Sequence, residues 1–304
     1  MIGSSKIGLR PIRGGGGGAA PNPDFVSTWD TTQAGSASDT IVLPMTAGPT
    51  VDWGDGNIDT TNTHTYAAGG TYTVTISGTI NTFRFANSGD RRKITDVSNW
   101  GTFDIANTST FYGCSNLNIS ATDAPIISTT SLAYTFSKCS IFNGDISNWD
   151  VSSVEIFGSS GNNSGCFETC YLFDQPLSTW DMTNATNTRR MFAYCYNFNQ
   201  DLSTWDTSNI TDMLVMFFRN YLFDQDISSW VVGQVTAFGN FMSDVTLSTA
   251  NYDALLIAWD AQGAMSYSGT VNFGGSKYTS GGAAEAARTS LIAKWGGITD
   301  GGAA

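Results

Sequence analysis

The chain has 304 residues, 41% of them apolar and 12% aromatic, which is enough for a substantial core in more than one domain and excludes a disordered chain. Its formal charge of -12, from 26 acidic and 14 basic residues, disfavours a nucleic-acid partner, whose phosphates require clustered Lys and Arg. No stretch is long or apolar enough to span a bilayer or to serve as the apolar part of a secretion signal, so neither membrane insertion nor Sec-type export is expected.

Residues 1–23 combine Lys6, Arg10 and Arg13 with Ile2, Ile7, Leu9 and Ile12, followed by five glycines at 14–18. Such a peptide cannot pack a core. It reads as a basic anchor that could dock on a particle, joined by a flexible linker. Residues 24–92 alternate short apolar runs with turn signals: TIVLPM, VDWGDG, HTYAAGGTYTVTISG and TFRFAN. Tyr72, Val74 and Ile76 alternate with Thr71, Thr73 and Thr75, the period of a strand with one face inward, and Asp55-Gly56 marks a hairpin. These segments predict a small antiparallel β-sandwich. VDWGDG, HTY and GTYTVTISG resemble the PKD-like, immunoglobulin-like domains of bacterial surface proteins, and the resemblance implies a spacer. Asp52 and Asp55 are conceivable Ca2+ ligands, but carboxylates in a Gly-rich turn more often accept backbone N–H bonds, so no metal or other cofactor is assigned.

Residues 93–245 repeat. CYLFDQPLSTWDMTNATNTRRMF at 170–192 and CYNFNQDLSTWDTSNITDMLVMF at 195–217 are one pattern written at 25-residue spacing. Trp100, Trp149, Trp180, Trp205 and Trp230 form one register, with Thr122 replacing a Trp; Cys114, Cys139, Cys170 and Cys195 form a second, with Asn220 replacing a Cys. The single 31-residue interval comes from the insertion FGSSGNNSG at 157–165. Each unit reads as an extended segment followed by a short helix, in which Thr211 caps a turn bearing Met213, Met216 and Phe217 on one face; Phe238, Phe241 and Met242, and in part Leu132 and Phe136, repeat that spacing. Units this small must stack to bury an apolar side, which is the arithmetic of a leucine-rich-repeat-like solenoid. The Trp and Cys registers are therefore expected to be buried structural ladders, the cysteines as free thiols.

GCSNL, FNGDISNWDVSSV, FNQDLSTWDTSNITDM and FDQDISSW resemble the BspA-like leucine-rich-repeat surface proteins, and LSTANYDALLIAW, YTSGGAAEAARTSLIAKWG and ITDGG resemble their carboxyl-terminal segment. Within 246–304, NYDALLIAW and AAEAARTSLIAKW carry helical apolar spacing and are expected to cap the stack. The fold class expected is thus mainly β with short helices: a PKD-like sandwich, a solenoid of about 25-residue repeats, and a helical cap.

The single histidine, His64, and the cysteines fall in different segments, and neither a zinc-ligand spacing nor a phosphate-binding loop is present, so no catalytic residue is assigned. A glycan hydrolase needs only two carboxylates and stays as a third alternative. The candidate binding surface is the polar side of the extended segments: Asp145, Asp174, Gln175, Asn199, Gln200, Asp201, Asp224, Gln225 and Asp226. Stacked in rows, these side chains suit a cation or a polyhydroxyl ligand, against the plainer reading as turn-capping groups. The function expected is a non-enzymatic phage virion protein, a tail appendage or head fibre, docked on other phage structural proteins through the N-terminal peptide and binding a host receptor or glycan. A chain opening at Met1 with no signal fits assembly in a cytoplasm. The alternative is a bacterial cell-surface adhesin of the BspA-like family. No pattern fixes the oligomeric state.

Overall fold

A computed structural model describes residues 22–159 and 164–304. Ile2, Lys6, Ile7, Leu9, Arg10, Ile12 and Arg13 of the expected anchor lie outside the described residues. β1 (Phe25–Asp30) buries Phe25, Ser27 and Trp29 on one face. β2 (Thr40–Val42) pairs antiparallel with β5 (Thr63–Thr65) in a sheet of two strands. β3 (Thr50–Asp52) pairs with β4 (Ile58–Asp59), joined through Asp55-Gly56, and with β6 (Thr71–Ser77), which pairs in turn with β1. In β6 the expected alternation holds, with Val74 and Ile76 buried between exposed or half-buried threonines.

The pairing changes sense at β7 (Ile94–Asn99), which is antiparallel to β1 on one side and parallel to β8 (Asn118–Ile119) on the other. The resulting six-stranded sheet has the order β4-β3-β6-β1-β7-β8, so the N-terminal sheet runs directly into the repeats. A buried cation locks this junction: Lys93 Nζ donates to the carbonyls of Ser36, Ala37 and Thr40 at 3.2, 2.7 and 2.7 Å. Buried Asp90 accepts from the backbone N–H groups of Ser36 and Val42 at 2.6 and 2.7 Å.

TFRFAN is not the strand its alternation suggests. Phe85 and Asn87 donate their backbone N–H groups to Thr110 and Tyr112, so the segment is the first turn of the repeat stack. Beyond it, parallel bridges join Asp104 to Ile126 and run through Ser131, Ile156, Asn187, Asp212 and Ala237.

The short helices expected inside the repeats are not formed. Tyr134 and Lys138, Arg190 and Tyr194, Val215 and Arg219, and Asn240 and Asp244 all have positive φ, four residues apart on four of the rungs, and on the rung that carries the insertion Thr169 has it too. A left-handed residue at every fourth position breaks an α-helix. Alternate N–H groups are instead given to the next rung: Met213, Val215, Phe217 and Arg219 donate to Ala237, Gly239, Phe241 and Ser243, while Met216, Phe218 and Asn220 close local turns. The apolar face is nonetheless the expected one, since Met213, Met216, Phe217, Phe238, Phe241, Met242, Leu132 and Phe136 are all buried.

The core is a double column of phenylalanines. Phe111, Phe136, Phe167, Phe192 and Phe217 stack at 5.6–5.7 Å with interplanar angles of 17° or less. Phe142, Phe173, Phe198 and Phe223 form a second column at 5.6–6.3 Å, and within a rung the two columns meet at 4.2–4.4 Å. The Trp register is buried alongside: Trp180, Trp205 and Trp230 donate Nε1 to the carbonyls of Ile146, Leu177 and Leu202 on the preceding rung. Where Thr122 leaves that register empty, Trp149 packs edge-on against Trp100 at 5.5 Å. All five cysteines are buried and free; Cys139, Cys170 and Cys195 donate Sγ–H to the carbonyls of Phe111, Phe136 and Phe167. Asn220, with its amide nitrogen inward, substitutes by donating to the Cys195 and Phe198 carbonyls at 2.8 and 2.9 Å.

The insertion leaves the register intact. Gly158 and Gly165 form an antiparallel bridge at its base, and on either side Phe157 and Phe167 still donate to Asn187 and Met191 of the next rung. A Cβ at Gly158 or Gly165 would lie 1.9 or 2.2 Å from the carbonyl oxygens of Arg189 and Arg190, so the staple requires glycine.

The two helices expected at the end are present: α1 (Thr249–Asp260), capped by Ser248, and α2 (Ala283–Trp295), ended by Gly296 at φ +108. α1 takes the place of a further rung, because Trp259 donates to the Ile227 carbonyl as the earlier tryptophans do. β9 (Gly269–Asn272) receives the Met242 N–H and pairs in parallel with β10 (Gly296–Thr299). Asp300, whose side chain is 2% exposed, ties the cap together by accepting Arg288 at 2.7 and 3.0 Å and the Tyr252 hydroxyl at 2.8 Å.

Because each ring in the column supports neighbours on both sides, Phe192→Ala is expected to cost about 3–5 kcal/mol, whereas Phe218→Ala, at a half-buried site outside the column, should cost about 1 kcal/mol or less. Urea unfolding of both variants against the parent measures the difference.

Candidate recognition surface

Asn143, Asp174, Asn199 and Asp224 occupy one position on four successive rungs. Each Oδ1 accepts the backbone N–H of the following rung: Asp174 donates to Asn143, Asn199 to Asp174, and Asp224 to Asn199, all at 2.9 Å, and Ser248 donates to Asp224 at 2.7 Å. The amides of Gln175, Gln200 and Gln225 add a second donor to the same oxygens at 3.0, 2.8 and 2.9 Å, and Asn251 of α1 does the same for Asp224. The expected residues Asp174, Gln175, Asn199, Gln200, Asp224 and Gln225 are thus brought together in a single file that stitches rung to rung. Amide and carboxylate alternate along it, so no two carboxylates are adjacent.

Asp145, Asp201 and Asp226 lie in a second file, in which Pro176 occupies the rung between Asp145 and Asp201. Their Oδ1 atoms accept the N–H groups of Ser147, Ser203 and Ser228 at 2.9, 2.8 and 2.9 Å, closing tight turns. Asp150, Asp181 and Asp206 form a third file of the same kind, accepting from Ser152, Thr183 and Ser208 at 3.1, 3.0 and 2.9 Å. Asp52 and Asp55 do the same in the N-terminal sheet for Gly54 and Asn57. His64 is engaged there too, its Nε2 2.9 Å from Asp55 Oδ2 and its ring stacked on Trp53. Among the described residues, no group of three or more His, Cys, Asp or Glu is placed to hold a metal ion.

An aromatic file was missed in the sequence. Tyr171, Tyr196 and Tyr221 stack on one another at 4.9 and 5.2 Å along the outside, beside exposed Leu172 and Leu222. Its signal was available: each tyrosine directly follows the Cys170, Cys195, Asn220 register. Next to it, the Arg219 guanidinium lies 5.2 and 5.7 Å from the Phe218 and Tyr194 rings, and its Nε pairs with Asp244 at 3.1 Å.

This repeat geometry is matched by one family model, described as "Mycoplasma protein of unknown function, DUF285", over residues 80–160 and again over 161–272, more than half of the chain. The chain belongs to the DUF285 family. That domain is found in BspA-like surface proteins. The first DUF285 match begins just before the turn at TFRFAN, and the second ends with β9. No curated protein and no solved structure matches this DUF285 chain.

The polar files of this DUF285 stack carry two testable consequences. In Asn199→Asp, three carboxylates would stand on adjacent rungs, and like charges facing one another should lower stability by about 1 kcal/mol, recovered in part by added salt, as read from thermal unfolding at low and high ionic strength. Secondly, the N–H group of Ser147 holds Asp145 below the ordinary aspartate range, and that of Ser203 does the same for Asp201. Asp150, Asp181 and Asp206 are lowered first by the hydroxyls of Ser152, Thr183 and Ser208. Depressed carboxylates stabilise the fold above the unfolded value of about 4, and that stability is lost as pH falls through their folded values. The melting temperature is therefore expected to drop steadily below about pH 4, and a flat profile down to pH 3 would contradict it.

Proposed function

We propose that this chain is a non-enzymatic recognition protein, in which a rigid stack presents a repeated surface to a host receptor or glycan. The observation that carries the proposal is the regular display of one side chain per rung, as in the Tyr171, Tyr196, Tyr221 file, on a scaffold whose rungs are bonded through both backbone and side chains. Stacked repeats of this kind supply extended binding surfaces.

In finer terms the stack, which begins at the turn at 82–87 and runs to about residue 245, is a leucine-rich-repeat-like solenoid, and the sheets formed by β1–β6 before it are a PKD-like spacer that holds it away from its attachment. Membership of a family whose domain occurs in BspA-like surface proteins favours display on a bacterial cell surface. The basic, aliphatic peptide at 1–23, with its glycine linker, supports the second reading, attachment to a phage particle as a tail appendage or head fibre.

The deciding experiment is co-sedimentation of the full chain, and of the chain lacking residues 1–23, with cells and with phage particles from the source culture. Binding to cells by both forms is the expected result for an adhesive surface; binding to particles by the full chain alone identifies the peptide as a virion anchor. Sedimentation of neither form with either target overturns the recognition proposal.

A further inference from the structure

A cleft of about 640 Å³ opens where the last rung meets the cap, lined by Tyr221, Arg219, Asp244, Thr246, Asn272 and Thr299 among others. It exists because the tyrosine file stops. Val245 takes the position of Asn220, closing the same local turn with its N–H to Met242, so the residue after it, Thr246, stands where the next tyrosine would be. One face of Tyr221 stacks on Tyr196; the other has no ring from the next rung to cover it, and the residue is 52% exposed.

The polar groups around that face are held in place by bonds that leave other atoms free for a ligand. Arg219 uses Nε for Asp244 Oδ2, while its terminal nitrogens and Asp244 Oδ1 make no hydrogen bond among the described residues. Asn272 uses Oδ1 for the Gly274 N–H at 2.8 Å and keeps its amide donors. The floor is bare backbone at Gly274, where a Cβ would lie 2.1 Å from the Val245 carbonyl oxygen.

We propose that this cleft binds a neutral pyranose stacked on Tyr221. An aromatic face with a partial negative charge attracts the polarised C–H bonds of a sugar ring. A guanidinium fork beside a carboxylate oxygen supplies donor and acceptor together for vicinal hydroxyls. The ion pair is neutral overall and the chain carries -12, both of which disfavour an anionic sugar. This inference rests on the recognition function proposed above and names its ligand class and place.

Saturation-transfer NMR of the full chain with the methyl glycosides of glucose, galactose, mannose and N-acetylglucosamine tests it. Transfer to the ring protons of at least one glycoside is expected, with affinity weakened at least about tenfold in Tyr221→Ala and in Arg219→Gln, equivalent to about 1.4 kcal/mol, and unchanged in Ile58→Ala, an exposed side chain of β4 in the N-terminal sheet. No transfer from any of these glycosides, or equal transfer in Tyr221→Ala with its melting temperature retained, overturns the proposal. Cell binding with no transfer removes the cleft alone; transfer with no binding to cells or particles removes the recognition function and leaves the cleft.

Discussion

The fold depends on the face-to-face stacking of phenylalanines along the repeat axis. Parallel backbone pairing sets a rise of about 4.8 Å per rung, and at that rise each flat ring meets its successor at 5.6–5.7 Å with the planes within 17° of parallel. Each rung lends its rings to both neighbours and cannot bury them alone. At both ends the stacked regime gives way to tilted and edge-on contacts: Phe83, Trp100 and Phe103 against Phe111 at the start, Phe241, Trp259 and Trp295 beyond Phe217 at the finish. Rings set at other angles, three tryptophans among them, close the column, which a further identical rung would only extend.

Around this column the chain satisfies its polar groups between rungs. Backbone N–H groups, the indoles of Trp180, Trp205 and Trp230, the thiols of Cys139, Cys170 and Cys195, glutamine amides and Asn or Asp oxygens find partners one rung away, whereas the indole N–H groups of Trp100 and Trp149, on either side of the Thr122 gap, are buried without one among the described residues. Burial of a polar group without a partner costs on the order of 1–3 kcal/mol, so a stack of small units is stable only where such bonding is nearly complete. Alternation of Asn and Asp keeps like charges apart in the file that bonds rung to rung, whereas the all-carboxylate file of Asp150, Asp181 and Asp206 offsets its mutual repulsion with the Ser and Thr donors of its own turns.

Much of this was legible in the sequence, and the parts that were not share a cause. The Trp and Cys registers, the period-two alternation of β6 and the two terminal helices follow from local spacing, which a sequence displays directly. The rung turns were misjudged as helices because apolar residues at i, i+3 and i+4 suit a helix and a chain of nested turns alike; only backbone angles at ordinary residues such as Val215 and Arg190 separate them. The roles of Lys93 and Asp300 depend on partners brought together by the fold, and nothing in their neighbours announces them. The Asp, Asn and Gln candidates fall in files along the stack, as their spacing displays, while the stitching of Asp174 and Asp224 into the next rung required the register to be known.

The glycine staple at 158 and 165 gives the architecture a port. By bringing the chain back to its point of departure before the next bond to the stack is made, it separates how long a rung is from where it sits. A lobe can be added at that port without shifting any ring in the column behind it, so the outline of the molecule is free to diversify while its frame stays constant.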